Sequence, residues 1–217
     1  MGRMDDLETA AFLKTWVAGW ALTRGVSPPI EDGPGWRVQV GEPDQVRRHV
    51  FAGDNPTLRD LGATVTEPWI WLKAFMHHDA LRALLPPRWR VDGPSYFMRF
   101  EGAPPAGRLP AGYALREFDE AGVRLVQVLA ADGAQAARGR LAMVGDNAIF
   151  DRIRTADDHR RRGLGRAVMA ALHAHARARG AARGLLSATR DGHALYLTMG
   201  WRVQAPYSGA VIEGPLG

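Results

Sequence analysis

The sequence predicts a mixed α/β fold on a central twisted sheet, mostly antiparallel, preceded by an α+β region. Three observations carry this. Four β-like runs, 113–118, 123–129, 135–144 and 148–155, are joined by short turn-rich connections at 119–122, 130–134 and 145–147. Connections this short make antiparallel hairpins. The last run then enters a glycine-spaced turn and a long helix, 164–179, in which Leu164, Val168, Leu172 and Ala176 recur at helical spacing. Gly180 can cap that helix, and the β-like run 183–188 that follows should lie parallel to the strand before it. Lastly, a strand at 202–211 ends the chain, while the first hundred residues mix capped helices with short apolar runs.

The early elements read as follows. Residues 5–24 form a helix: Asp5-x-x-Glu8 resembles a capping box, and Leu13, Trp16, Val17 and Trp20 make one apolar stripe. Gly25 can end it. Residues 27–35 are a loop by their Pro and Gly content, and 36–40 and 46–52 are short strands. Asn55-Pro56 starts a helix, with Asn55 as cap and Pro56 in the first turn. The apolar run 68–76 reads as a buried strand, 79–85 as a short helix stopped by Pro86-Pro87, and 95–101 as another strand. Six of the seven tryptophans lie at or before Trp89. A small region needs such side chains to fill its core; one or two could instead wall a substrate site.

Residues 102–112 carry three prolines and three glycines and form the best linker candidate. The expected organisation is an N-terminal α+β region at 1–101, a linker at 102–112 and a C-terminal domain at 113–217.

Composition narrows the function. With 217 residues the chain holds one large or two small domains, and its 46% apolar content is ordinary for a packed protein. The absence of cysteine removes disulfides and thiolate metal sites. His77-His78 and His173-x-His175 lack an accompanying ligand set, so no metal is expected. No eighteen-residue apolar run exists, and the N-terminus lacks a signal-peptide core, so a cytoplasmic, bacterial-style protein is expected. The net charge of +5 raises nucleic acid as a partner. However, the densest arginine cluster has a local explanation, given next, and aromatic residues do not interleave with it, so nucleic acid is not expected.

A glycine turn opening a helix presents free backbone N–H groups and the positive end of the helix dipole. Arg160, Arg161, Arg162 and Arg166 add charge at that end of helix 164–179, which makes it a site for a phosphate-bearing ligand. The dinucleotide fingerprint fails, because Val168 stands at the third glycine position, and the Gly-Lys-Ser/Thr of nucleoside-triphosphate loops is absent. What remains is Arg160-x-x-Gly163-x-Gly165. This resembles the acyl-CoA signature Q/R-x-x-G-x-G/A of the GCN5-related N-acetyltransferase (GNAT) superfamily. Ala194, Tyr196, Gly200 and Trp201 resemble that superfamily's A-x-Y-x-x-x-G-F ending, with tryptophan in place of phenylalanine. The resemblance covers residues 113–213 and leaves the first hundred residues unmatched.

The resemblance implies a parallel, splayed strand pair that holds an acetyl-CoA cosubstrate, and an amine acceptor. By position, Ile153, Arg154 and Thr155 fall on the strand whose backbone pairs with pantetheine and polarises the acetyl carbonyl. Arg160, Arg161, Arg162, Gly163, Leu164, Gly165 and Arg166 form the pyrophosphate turn, and Tyr196 falls at the acid that protonates the leaving thiolate. Packing alone would also explain a tyrosine there. For the base, alternation along 149–155 puts Ile149, Asp151, Ile153 and Thr155 on one face, with Asp151 the only carboxylate. The competing role for Asp151 is an ion pair with Arg152 or Arg154; His159 reads as loop structure.

The superfamily usually places two helices between its first two strands, and they help line the acceptor pocket. Here 113–118 and 123–129 are joined by four residues, enough only for a turn. Residues 1–101 are therefore expected to line the acceptor side. The resulting expectation is an acetyl-CoA-dependent N-acetyltransferase acting on an unidentified amine. A non-catalytic acyl-CoA-binding regulatory module is the alternative, and a homodimer is compatible with either.

Overall fold

The computed structural model describes residues 2–103 and 106–215, with side chains from residue 8 onward. In chain order the elements are α1 (Gly2–Arg24), β1 (Ile30–Asp32), β2 (Gly35–Glu42), β3 (Gln45–Phe51), α2 (Pro56–Thr64), β4 (Ile70–Ala74), α3 (His78–Leu84), β5 (Arg90–Val91) and β6 (Ser95–Phe100). There follow β7 (Tyr113–Glu120), β8 (Val123–Ala130), β9 (Gln135–Val144), β10 (Asn147–Thr155), a 3₁₀ turn (Asp157–His159), α4 (Leu164–Ala178), β11 (Arg183–Thr189), α5 (Arg190–Leu197) and β12 (Arg202–Val211).

The strands join in one sheet of order β1-β2-β3-β4-β12-β6-β11-β10-β9-β8-β7, with β5 also on β12. All neighbours are antiparallel except β3 with β4 and β10 with β11. The chain thus has a mixed α/β fold with a mostly antiparallel open sheet. The same course runs twice: β2-β3-α2-β4-α3 in the first half, β9-β10-α4-β11-α5 in the second. The closing strands are exchanged between halves. β6 pairs with β11 (Ser95 opposite Thr189), and β12 pairs with β4 (Ser208 opposite Ala74).

Three apolar cores hold this arrangement. On one face lies α1, whose Leu13, Trp16, Val17 and Trp20 are all buried against Val38, Val50, Phe97, Ile149, Leu185 and Tyr207. The stripe thus spans strands from both halves. On the other face α4 and α5 pack over Val126, Leu141, Phe150, Leu186 and Trp201, and α2 and α3 over Leu72, Trp89 and Ala210. The β7–β8 connection is a tight turn in which Ala121 and Gly122 both have positive φ (48° and 79°), which matches strand twist in two-residue hairpins.

Several sequence expectations need correction. α1 begins at Gly2, so Asp5 lies within the helix and not at its cap; side chains before Glu8 lie outside the described residues. The loop expected at 27–35 contains β1, and β5 was not foreseen. Strands of two or three residues carry no periodicity of their own and exist because a neighbour offers a ladder. Asn55 does cap α2, accepting from the Leu58 N–H. Within the run 102–112, of which 104–105 lie outside the described residues, two positions pack against the second half. Gly107 packs on α4, where a Cβ would come within 2.4 Å of Ala170 Cβ, and Leu109 joins the α4 core.

Candidate functional site

The parallel pair β10–β11 is laddered only at Asn147, Ala148 and Ile149, opposite Arg183, Gly184 and Leu185. Beyond that the strands part. β11 stays paired with β6 to its end, so the opening leaves the β11-facing polar groups of residues 150–155 without a ladder partner. Backbone donors and acceptors in that state need a ligand or water. The gap is a cleft of about 760 Å³, lined by β10 from Phe150 to Thr155, by Arg160, Arg161 and Gly165, by Leu186 to Thr189, and by Asp191, Gly192, Leu195 and Tyr196.

β10 is not regular. Asp151 pairs with Arg140 and Arg154 with Arg138, so one extra residue sits on β10 between them. Arg152 absorbs it with φ 52°, an uncommon backbone state for a side-chain-bearing residue. The expected alternation is therefore broken. Asp151 faces α1, as Ile149 does, whereas Ile153 packs into the α4 core and Thr155 lies near Gly165 of α4. Asp151 and Ile153 do not share a face.

Asp151 is indeed ion-paired, but with neither arginine considered from sequence. Arg24 at the end of α1 donates from Nε to Oδ2 at 2.9 Å and from Nη2 to Oδ1 at 3.4 Å, and Thr23 Oγ1 shares its one proton between the Trp20 carbonyl at 2.8 Å and Oδ2 at 3.1 Å. Arg152 instead pairs with Glu42 of β2, Nη2 to Oε1. A carboxylate offers about four lone-pair sites, so one on Oδ1 is left for a further donor. Tyr196 is 7% exposed and its ring lines the cleft. Burial, reinforced by the charge of Asp151, raises its phenol above the ordinary range, so it keeps its proton at neutral pH.

At the turn, Gly163 caps α4 in the left-handed conformation (φ 80°) and no side chain caps the first N–H groups. They face outward with the positive end of the helix dipole. The arginines differ in their engagement. Arg160 pairs with Asp157 at 2.7 Å, and with Arg161 it borders the cleft. Arg162 donates to Tyr113 Oη and to the Asp158 carbonyl, and Arg166 to Thr198 Oγ1, while Leu164 is a core residue. His159 hydrogen-bonds Tyr113 Oη through Nδ1 at 2.9 Å, as loop structure. Among the described residues no cluster of three metal-ligating side chains occurs.

Sequence reasoning missed Thr23 and Arg24, which bind Asp151, and Glu42 and Arg138, which stand against Arg152 and Arg154. None carries a local signal. Arg24 reads as an ordinary basic residue in a last helical turn, and only the fold brings it to a residue 127 positions away.

The family model described as Acetyltransferase (GNAT) domain matches residues 124–203. No curated protein matches the chain at a significant level. Among solved structures, a GCN5-related N-acetyltransferase from Kribbella flavida superposes with TM-score 0.64 at 15% identity, covering 99% of this chain and 97% of that one. A GNAT-family acetyltransferase from Novosphingobium aromaticivorans gives 0.59 at 16% identity, with 94% and 96% covered. A tandem GNAT protein from the clavulanic acid biosynthesis pathway gives 0.54 at 14% identity, with 97% and 96% covered.

Proposed function

We infer an acetyl-CoA-dependent N-acetyltransferase acting on a primary amine, from a chain whose fold matches solved GCN5-related N-acetyltransferases and whose residues 124–203 match the GNAT acetyltransferase domain model. The observation that carries the reading is the opening between β10 and β11. The same cleft is bordered by the turn before α4, whose first N–H groups no side chain caps, and by Tyr196.

In this reading pantetheine adds to the free edge of β10 at residues 153–155, and the pyrophosphate rests on the turn at 160–166. Backbone N–H groups at the bulge polarise the thioester carbonyl. A neutral amine attacks the carbonyl carbon, forming C–N. Asp151 takes the proton that the nitrogen releases. The C–S bond then breaks, and Tyr196 gives its phenolic proton to the leaving thiolate. Amide and free thiol are the products; Asp151 releases its proton to solvent and solvent reprotonates Tyr196, which restores both.

We also propose that residues 1–101 act as a degenerate second GNAT-like half that walls the acceptor side. The repeated strand–helix course supports this, as does the likeness to a protein described as a tandem GNAT. In the first half β3 and β4 stay paired from Arg47 opposite Ile70 to Phe51 opposite Ala74, so no comparable gap opens there.

The experiment is CoA release from acetyl-CoA with a panel of amines. Amine-dependent thiol formation supports transfer. Tight acetyl-CoA binding without thiol release from any amine would favour the non-catalytic module.

A further inference from the structure

A second hollow of about 330 Å³ opens off the reactive cleft on the α1 side of the sheet. It is lined by Arg24, Glu42, Arg138, Arg152, Ile153 and Arg154, and it shares the last three with the cleft. Its charges do not cancel. Arg24 is matched by Asp151 and Arg152 by Glu42. Arg138 and Arg154 have no carboxylate within 4.0 Å among the described residues, yet they stand directly opposite each other on β9 and β10. Like charges in that position are destabilising. The backbone strain at Arg152 is what puts them together. Gly139 faces α4, so Arg138 faces α1, and only the extra residue in β10 returns Arg154 to that same face. Arg140, two residues from Arg138, adds a further cation, with its guanidinium held to the Thr23 carbonyl at 2.7 Å.

Two guanidinium groups without counter-ions, in a concave site of amino-acid size, are donors shaped for a carboxylate or phosphate. We propose that the amine acceptor carries an anionic group and that Arg138 and Arg154 hold it, so that the amine end reaches the cleft beside Asp151. This rests on the acetyltransferase reading. The specificity it implies is for amino-acid-like or phosphorylated amines over simple alkylamines.

The test uses matched probes: leucine against leucinamide, and O-phosphoethanolamine against ethanolamine. Each is measured by CoA release and by calorimetric titration into the full-length protein with CoA bound. The expected result is at least a tenfold lower KM or Kd for the anionic member, with that preference falling towards unity in Arg138→Gln. Arg138→Gln should keep wild-type affinity for acetyl-CoA. Neutral members performing as well as anionic ones, or a preference that survives Arg138→Gln, overturns the proposal. So does a loss of acetyl-CoA affinity in Arg138→Gln that disappears with dephospho-CoA, because the arginines then serve the cosubstrate's own phosphate. If no amine releases CoA but the anionic probes still bind in an Arg138-dependent way, the transfer reading fails and the anion site stands.

Discussion

Tyr196 and Asp151 are the two residues on which the proposed chemistry turns, and each has a structural role that competes with it. Tyr196 packs within 5.9 Å of Trp201, centroid to centroid, so it could be core alone. Tyr196→Phe keeps the ring and removes only the proton. Turnover should fall by roughly 10²-fold while acetyl-CoA affinity stays, the usual scale for loss of a general acid. Unchanged turnover under chemistry-limited conditions would leave it a packing residue. Asp151 anchors the end of α1 through Arg24 and Thr23. Asp151→Asn should lower turnover and remove a pH-dependent limb of the rate profile beyond the one set by protonation of the acceptor amine itself. A slower enzyme with the profile intact would make Asp151 an anchor and nothing more. The sequence made Asp151 visible as the lone carboxylate of a strand, but not its partner. The bulge was hidden as well: no glycine or proline marks Arg152, and alternation was the natural reading.

Among the elements, those from β7 to β12 were legible because each apolar run ends at turn residues within reach of its neighbour. α4 was legible for the same local reason. Its buried face also holds a group with a measurable cost. His173 is 5% exposed, lies among Phe100, Phe150 and Trp201, and its Nε2 has no hydrogen-bond partner. Burial lowers its pKa to about 4, from 6.5 in an unfolded chain. The folded state therefore binds this proton less readily than the unfolded state. The protein has its full stability with respect to this group above pH 6.5 and loses it as pH falls towards 4, by about 3 kcal/mol at most. Chemical denaturation between pH 7 and 4.5 should show a loss of stability that His173→Leu flattens. Parallel pH curves for both proteins would mean that other groups set the acid limb.

The whole molecule was the least legible level. β6 was expected with the N-terminal region, and nothing local says that it lies between β11 and β12, opposite residues nearly a hundred positions away. Strand exchange is a long-range ladder, and pattern reading is local. Its consequence is testable. A fragment beginning at Gly107 would leave β11 and β12 without the strand between them, and Ile149, Leu185 and Tyr207 without α1. It should be insoluble or bind a hydrophobic dye strongly. A soluble, cooperatively folding fragment would argue for two independent units.

In the proposed function acetyl-CoA occupies the opening of β10 and β11 with its pyrophosphate on the α4 turn. Calorimetric titration of acetyl-CoA into the wild type and Gly163→Val tests it directly. A Cβ at Gly163 meets no protein atom within 4 Å, so the added side chain clashes with nothing in the protein and would stand at the turn proposed to hold the pyrophosphate. The left-handed backbone at φ 80° adds strain of roughly 1–2 kcal/mol, so thermal unfolding of both proteins should first confirm that the variant is folded. The expected result is binding by the wild type and a loss of at least tenfold in affinity in the folded variant. Equal affinity in both, or no binding by the wild type, would contradict it.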